Sequence, residues 1–173
     1  ILATGCAIGF LKEIVNRDFV SIAVRDDQKM TIGDRTLHFM FVPNLHWPDT
    51  MYTFIEEEQI LVTCDSFGSH YCLPEVISTE IKNENDYQKA LKYYYDCIIG
   101  PFKPFMLKAL DRVENMDISM ICTGHGPVLV GDRIKTVMKQ YREWSTLVNP
   151  NQKKTVIMPY VSAYGYTKML AEK

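Results

Sequence analysis

Alternating apolar and polar positions predict two strands near the middle of the chain. Residues 51–55 (MYTFI) and residues 59–63 (QILVT) flank the acidic triplet Glu56–Glu58. Apolar runs on both sides of a charged turn are typical of a β-hairpin. A hairpin folded about this triplet brings Asp49 to Asp65 and returns both strand ends to one edge of the sheet.

The spacing of apolar residues elsewhere predicts further strands and helices in a mixed order. Apolar residues at helical spacing predict four helices: residues 7–15, 87–99, from the Gly100–Pro101 break to about Asn115, and 132–147. Short apolar runs predict strands over residues 19–24, 30–32, 36–42 and 118–122. Asn85 and Asp132 are the expected caps of the second and fourth helices. This mixture indicates an α/β fold.

Three potential metal ligands lie next to the predicted strands. His46 precedes the hairpin, Asp65 follows it, and His125 lies in a Thr-Gly-His-Gly-Pro segment after an apolar strand. Glycines on both sides of His125 allow the backbone to turn sharply and bring the imidazole close to another group. Imidazole and carboxylate side chains suit a divalent metal ion. A single histidine at a strand end is also an ordinary structural residue, so the pattern alone leaves both interpretations open.

Three segments occur in a specific order: HWPDTM from His46, CDSFGSH from Cys64 and TGHGP from Thr123. In this order they resemble the metallo-β-lactamase-like domain of flavodiiron proteins, also called A-type flavoproteins. The resemblance covers nearly the whole chain. It implies an α/β fold that corresponds to the C-terminal part of a metallo-β-lactamase-like αββα sandwich, followed by the first strand and helix of a flavodoxin-like domain.

The resemblance also implies a diiron centre that reduces dioxygen to water, nitric oxide to nitrous oxide, or both. Matched by position, His46 would bind one iron ion, Asp65 would bridge the two ions, and His125 would bind the other. His70 matches a histidine that lies near the metals, so we expect it at the pocket wall. There it would act catalytically by giving a hydrogen bond or a proton to the reacting oxygen. The alternative is an ordinary histidine in a surface loop.

The sequence departs from the family in its ligand set. The family has an upstream His-x-Glu-x-Asp-His motif, which is absent here, and the fourth histidine is His38 in a predicted strand, where a solvent-facing position is expected. We therefore interpret the chain as an internal fragment whose N-terminal portion is missing. Alone it is expected to bind iron weakly at best, to show no reductase activity, and to fold marginally with exposed apolar surface.

The C-terminal residues predict a new unit after a domain that covers residues 1–148. Residues 149–154 have the polar, Pro-containing composition of a linker, and residues 155–173 begin again with a strand over 155–161, a turn, and a helix from Lys168. A hydroxyl-rich turn before a helix suits a phosphate group. The turn resembles the FMN phosphate loop of the family and consists of Ser162, Ala163, Tyr164, Gly165, Tyr166 and Thr167. FMN is expected in the full-length parent and not in this fragment.

Composition narrows the class of protein. The 173 residues have a net charge of −2 and include no apolar run near the ~20 residues that a membrane span needs, so neither nucleic acid nor a membrane is an expected partner. The five cysteines form no C-x-x-C pair, which favours a reducing cytoplasm. Cys64 and Cys122 are expected to be small core residues, with Cys64 facing away from the Asp65 side chain.

The family resemblance implies the partners of the parent protein. Electrons would pass from FMN to iron across a head-to-tail homodimer, supplied by a rubredoxin-like protein or a flavin reductase, with dioxygen or nitric oxide as substrate. One alternative is a zinc-dependent hydrolase of the same superfamily, against which the HWPD segment and the flavin-like tail argue. The other is an inactive structural or dimer-forming fragment.

Overall fold

Eight strands and five α-helices occur in mixed order along the part of the chain that the computed structural model describes, residues 1–146 and 158–172. The strands are β1 (Leu2–Ala3), β2 (Ile22–Ala23), β3 (Lys29–Ile32), β4 (Arg35–Phe41), β5 (Met51–Ile55), β6 (Ile60–Val62), β7 (Met120–Cys122) and β8 (Leu129–Val130). The helices are α1 (Gly5–Val15), α2 (Glu84–Tyr94), α3 (Lys103–Val113), α4 (Asp132–Ser145) and α5 (Tyr166–Ala171). The predicted α/β class is confirmed.

Six of the described strands form one sheet in the order β3-β4-β5-β6-β7-β8. Its neighbours are antiparallel except β6 and β7, which run parallel. Parallel neighbours need a long crossover, which here contains α2 and α3. Val62, the last residue of β6, pairs with Cys122, the last residue of β7. The loops after these two strands therefore leave the sheet side by side.

The hairpin of β5 and β6 confirms the prediction from the alternating pattern. Thr53 pairs with Val62, and Tyr52 and Phe54 are buried whereas the other residues of β5 are partly exposed. Because β5 is antiparallel to β6, the start of β5 lies at the same edge as the end of β6. This is the edge at which the candidate ligands were expected.

The helices α2, α3 and α4 share one hydrophobic core with the sheet. The predicted apolar stripe of α4 is buried at Ile134, Val137 and Tyr141. Fully buried members of the core from the strands and helices include Tyr52, Leu61, Tyr87, Leu91, Met106, Val113 and Ile121. Truncation of a buried leucine such as Leu91 to alanine costs about 2–5 kcal/mol of stability.

A small unit of β1, α1 and β2 lies beside the large sheet. The side-chain oxygen of Thr4 accepts the N–H of Ala7 at 3.1 Å, which caps α1, and donates to the carbonyl of Asp49 at 3.3 Å. The predicted helix is confirmed, but only Ile8 of its expected stripe is buried, and Ile14 is 71% exposed. The Thr4 contact fixes the start of α1 against the segment that precedes β5.

An open groove of about 730 Å³ separates α1 from the large sheet. Leu11 and Ile14 line its helical side, and Met51, Val62 and Asp65 line the side of the sheet. Residues of β5 that face the groove alternate with those that face the helical core. One face of the sheet is thus covered by α2–α4, and the other borders the groove.

Several helix and strand boundaries differ from the prediction. Asn83 rather than Asn85 caps α2, because its side-chain oxygen accepts the N–H of Asp86 at 3.2 Å. The α-helix ends at Tyr94, and a π-helical turn over Tyr95–Ile99 leads to a short 3₁₀ turn before α3. Gly131, with a φ of 58°, occupies the cap position of α4, and Asp132 is its first residue. Residues 19–24 form only the two-residue strand β2.

The C-terminal prediction is tested only in part. Residues 158–161, the described part of the expected strand, pair with neither of the described sheets and form no strand. The helix α5 begins at Tyr166, two residues before the expected start. The rest of that strand, the boundary at residue 148 and the linker 149–154 lie outside the described residues. None of the described helices is long and apolar enough to cross a membrane.

Glu84→Gln should lower the free energy of unfolding, because it breaks the ion pair that joins α2 to α4. Arg133 donates to both carboxylate oxygens of Glu84, at 2.6 and 2.8 Å. This pairing holds the pKa of Glu84 below its ordinary value. A lowered pKa in the folded state stabilises the protein above the ordinary pKa of glutamate, and this stabilisation is lost as pH falls through the lowered value. Because Glu84 is half exposed, we expect a loss of only about 0.5 kcal/mol.

Urea unfolding of the wild type and the variant, at about pH 7 and again below about pH 3, measures this loss. Glu143→Gln is the matched control, because Glu143 lies 3.9 Å from Lys139 on an exposed face of α4. A loss of the same size in both variants, or one that is independent of pH, would contradict the prediction.

Candidate metal centre

His46, Asp65 and His125 converge at one edge of the sheet. The Nε2 atom of His46 lies 3.1 Å from Oδ2 of Asp65, and Nε2 of His125 lies 3.4 Å from Oδ1 of the same carboxylate. The side chains of His46 and Asp65 are 29% and 23% exposed, and that of His125 is 51% exposed. The spatial convergence expected from the sequence is therefore present.

Strand register explains why Asp65 and His125 meet. Asp65 follows Val62 by three residues, His125 follows Cys122 by three residues, and Val62 and Cys122 are paired neighbours in parallel strands. Two residues that lie equally far along the chain from a parallel pair leave the sheet at the same edge and extend about equally far beyond it. His46 arrives from the start of β5, in a tight loop where the N–H of Asn44 donates to the carbonyl of Trp47 at 2.8 Å.

The two loops that carry Asp65 and His125 interlock through their backbones. The N–H of Gly124 donates to the carbonyl of Cys64 at 2.5 Å, and the N–H of Ser69 donates to the carbonyl of His125 at 3.1 Å. A Cβ atom at Gly126, where φ is 85°, would overlap Ser69, so only glycine fits there. The glycines predicted to permit a sharp turn also permit this close approach.

Each histidine faces a different oxygen of Asp65. Within the described ranges, no group of three or more histidine, cysteine, aspartate or glutamate side chains surrounds a point at which a single metal ion would bind. The three residues instead form two half-sites that share one carboxylate. Imidazole nitrogen and carboxylate oxygen are suitable ligands for iron or zinc, and a carboxylate with two free oxygens can bridge two ions.

His70 lies beside the cluster without joining it. Its ring centroid is 5.4 Å from that of His125, in an edge-to-face arrangement, and its side chain is exposed. It lines an open pocket of about 420 Å³ together with His125. An imidazole in this position is close enough to pass a proton into the pocket through one water molecule.

Tyr94 is a site residue that the sequence analysis missed. Its ring centroid lies 4.9 Å from His70 and 5.8 Å from His125, and the residue is 1% exposed. Its hydroxyl has no hydrogen-bond partner among the described residues. Burial, with a smaller effect from the negative charge of Asp65, raises the pKa of Tyr94, so the hydroxyl remains a proton donor.

A signal for the burial of Tyr94 was present in the sequence. Tyr87, Leu91 and Tyr94 stand four and then three residues apart, and all three are buried along one face of α2. The neighbouring Tyr93 is 69% exposed whereas Tyr95 is 1% exposed, so the three successive tyrosines do not share one environment. Helical spacing predicted the burial of Tyr94 but could not show that His70 and His125 would lie against it.

The two cysteine predictions near the site are wrong. Cys64 is exposed and Cys122 is only partly buried, so neither is a core residue. Cys64 follows the end of β6 and has a φ of 51°, so the alternation of side chains along a strand no longer applies to it. Cys64 and Asp65 both line the groove beside α1, rather than facing opposite sides of the sheet.

The remaining candidate residues are His38 and the C-terminal turn. His38 was expected to face the solvent, but its side chain is only 19% exposed. Its Nε2 atom lies 3.3 Å from Oδ1 of Asp27. Ala163–Gly165 form a bend that leads into α5, where Gly165 has a φ of 84°. No ligand role of these residues follows from the bend itself.

Comparisons with known proteins give consistent matches. Residues 3–126 match the sequence profile described as "ODP family beta lactamase". The chain is 38% identical to "Flavo-diiron protein FprA2" of Clostridium acetobutylicum over all of its own length, and to "Diflavin flavoprotein A 1" of a Synechocystis strain over 99% of it. It spans 44% and 30% of those two proteins.

Solved structures give the same result. The flavodiiron protein of Giardia intestinalis aligns with a TM-score of 0.79 and 32% identity over 83% of this chain and 35% of that protein. Rubredoxin oxygen:oxidoreductase of Desulfovibrio gigas aligns with a TM-score of 0.79 and 26% identity over 84% of this chain and 37% of that protein. The predicted metallo-β-lactamase-like fold is confirmed.

Tyr94→Phe should leave the stability of the metal-free chain unchanged or raise it slightly, because the lost hydroxyl has no partner in the described structure. Tyr95→Phe is the matched comparison, since the buried hydroxyl of Tyr95 lies 2.8 Å from Oγ of Ser145. Loss of that bond should cost about 1 kcal/mol. Urea unfolding of both variants measures the difference, and an equal loss in the two would mean that the Tyr94 hydroxyl is already bonded.

Proposed function

The chain belongs to the metallo-β-lactamase-like domain family of the flavodiiron, or A-type, flavoproteins, and we propose that it supplies part of a diiron centre in a longer protein. That protein would reduce dioxygen to water, nitric oxide to nitrous oxide, or both. The observation that carries the proposal is the single Asp65 carboxylate with one histidine Nε2 atom at each oxygen.

The donor set of the cluster fits iron. His46 would bind one ion and His125 the other, and Asp65 would bridge them, since each histidine faces its own carboxylate oxygen. When bound, the two irons would supply electrons to the substrate and act as Lewis acids. The described residues hold the ligands at the sheet edge but provide only one histidine for each ion.

We propose that the missing ligands come from another segment of the longer protein. The relatives are more than twice as long as this chain, and the family resemblance implies a His-x-Glu-x-Asp-His motif upstream. The groove beside α1 offers a place for such a segment, because Asp65 lines it together with apolar side chains of α1 and the sheet. A packed segment would cover that apolar surface and bring its own histidines and carboxylates to the two ions.

His70 is proposed as a catalytic residue. Its exposed imidazole stands beside the ring of His125 and lines the adjacent pocket. There it would hold a proton that the reduced oxygen of the substrate needs. The buried ring of Tyr94 packs against both His70 and His125, and its protonated hydroxyl would be a second hydrogen-bond donor near this wall.

Electron supply would involve the C-terminal bend. Ser162, Ala163, Tyr164, Gly165, Tyr166 and Thr167 would bind the phosphate of FMN through backbone N–H groups and hydroxyls, in a flavodoxin-like domain of the longer protein. When bound, FMN would supply electrons to the irons of the partner chain in a head-to-tail homodimer. A rubredoxin-like protein or a flavin reductase would reduce it, and the name of the Desulfovibrio gigas protein supports the former. All five cysteines are free, which supports a cytoplasmic location.

The metal assignment can be tested in a chimera. In it, this chain replaces the matching segment of Clostridium acetobutylicum FprA2. We expect two iron ions per chain and consumption of dioxygen or nitric oxide. His46→Ala, Asp65→Asn and His125→Ala should each lower the iron content, because each removes one of few ligands. Metal analysis and an oxygen electrode measure both quantities.

His38→Ala is the matched control, because His38 contacts Asp27 and lies outside the cluster. It should leave iron content and turnover unchanged. Full iron content in all three ligand variants would contradict the assignment. Zinc in place of iron, with hydrolysis and no oxygen consumption, would support the zinc hydrolase instead.

His70→Ala in the same chimera should lower turnover about 10²-fold and leave the iron content intact, because the imidazole would give a proton without binding metal. Steady-state rates and metal analysis of the same sample decide this. If iron is lost in parallel with activity, His70 is a ligand, and if turnover is unchanged, it is a surface residue.

A further inference from the structure

The carbonyl oxygen of His125 accepts two hydrogen bonds. Oγ1 of Thr123 donates at 2.9 Å, and the N–H of Ser69 donates at 3.1 Å. A carbonyl oxygen has two lone pairs, so both of its acceptor positions are in use. The backbone at His125 is therefore held from its own strand end and from the loop that carries Asp65 and His70.

The bond from Ser69 is fixed by packing. A Cβ atom at Gly68 would lie 3.1 Å from the carbonyl oxygen of His125, and one at Gly126 would overlap Ser69. Beneath them, the buried hydroxyl of Tyr141 donates to the carbonyl of Gly68 at 3.3 Å. The loop over residues 65–70 thus rests on the core, and the Ser69 N–H group has little freedom to move.

The bond from Thr123 depends on one side chain. The side chain of His125 is 51% exposed, so little packing holds its ring and the position of the ring follows the orientation of the backbone between Gly124 and Gly126. The Thr123 hydroxyl reaches across Gly124 and fixes the orientation of the carbonyl on the far side. A rotation of that carbonyl would move the His125 ring.

We propose that Thr123 is a positioning residue for His125. Its hydroxyl orients the segment Gly124–His125–Gly126 and thereby keeps Nε2 of His125 at its distance of 3.4 Å from Asp65. The use of this distance for metal binding rests on the proposed function, whereas the geometry itself belongs to the metal-free chain. A ligand must be held within about 0.5 Å of its productive position, so a displaced ring weakens one of the two half-sites.

Nuclear Overhauser effects between ring protons measure the position of His125 without any metal. The ring centroids of His125 and Tyr94 are 5.8 Å apart, and Tyr94 is fully buried, so it serves as a fixed reference. In the 173-residue chain we expect cross-peaks between the two rings. Thr123→Val, which keeps the shape and removes the hydroxyl, should weaken them at least about threefold relative to an internal pair of core protons, because the ring samples other positions.

Thr123→Ser is the conservative control, and it should restore the cross-peaks because it keeps the hydroxyl. If Thr123→Val does not fold, Thr123→Ala and Thr123→Ser decide the question, since these two differ only in the hydroxyl oxygen. Wild-type cross-peaks in the valine or alanine variant, or their loss in the serine variant, would overturn the proposal.

Cobalt(II) titration of the chimera provides the second measurement. The visible absorption of the bound ion reports on its ligand geometry, and we expect Thr123→Val to weaken binding about tenfold at one of the two sites and to change that spectrum. Thr123→Ser should bind as the wild type does. Equal affinity and an equal spectrum in Thr123→Val would overturn the positioning role. A chimera that binds no cobalt at all counts against the proposed function, and the cross-peaks of the metal-free chain still decide the role of Thr123.

Discussion

The parallel pairing of β6 with β7 is the constraint on which the candidate site depends. Its register sets Val62 opposite Cys122, and the two loops that follow carry Asp65 and His125 at equal distances from that pair. A slip of one residue would turn every side chain of a strand to the opposite face. A parallel pair needs a long crossover, which here runs through α2 and α3. These two helices therefore help to bring Asp65 and His125 together.

The helical layer also supports the site from below. Phe67 packs against Tyr141 with ring centroids 5.0 Å apart, and the Tyr141 hydroxyl bonds to the carbonyl of Gly68. Tyr94 of α2 reaches the other end of the same loop, against His70. The loop is itself buried from Ser66 to Ser69, and it rests on aromatic rings that have little freedom in a close-packed core.

The two faces of the large sheet serve different purposes. The face toward α2–α4 is packed with apolar residues such as Tyr52 and Phe54, whereas Val62, on the face toward α1, is 39% exposed at the open groove. If another segment supplies the remaining ligands, as we propose, it would pack on this uncovered apolar surface. That surface continues to Asp65, so the same covering segment would both complete the core and reach the two half-sites.

The sequence by itself determined the features that depend on local pattern. Alternation along residues 51–63 predicted the hairpin, helical spacing predicted α4 and its buried stripe, and the ordered segments around His46, Asp65 and His125 predicted a cluster at one edge. Each of these follows from the periodicity of a single strand or helix, or from a motif that is contiguous in the chain.

Only the tertiary structure decided where those elements meet and what lies between them. Asn83 and Asn85 have the same capping chemistry, and only the folded chain shows that Asn83 caps α2. Cys64 follows the pattern of a strand, but the turn toward Asp65 gives it a positive φ and exposes it. Tyr94 has the spacing of a core residue, yet its contacts with His70 and His125 come from loops 24 and 31 residues away in the chain. Such contacts depend on strand register and packing between distant segments, which no local pattern of residues encodes.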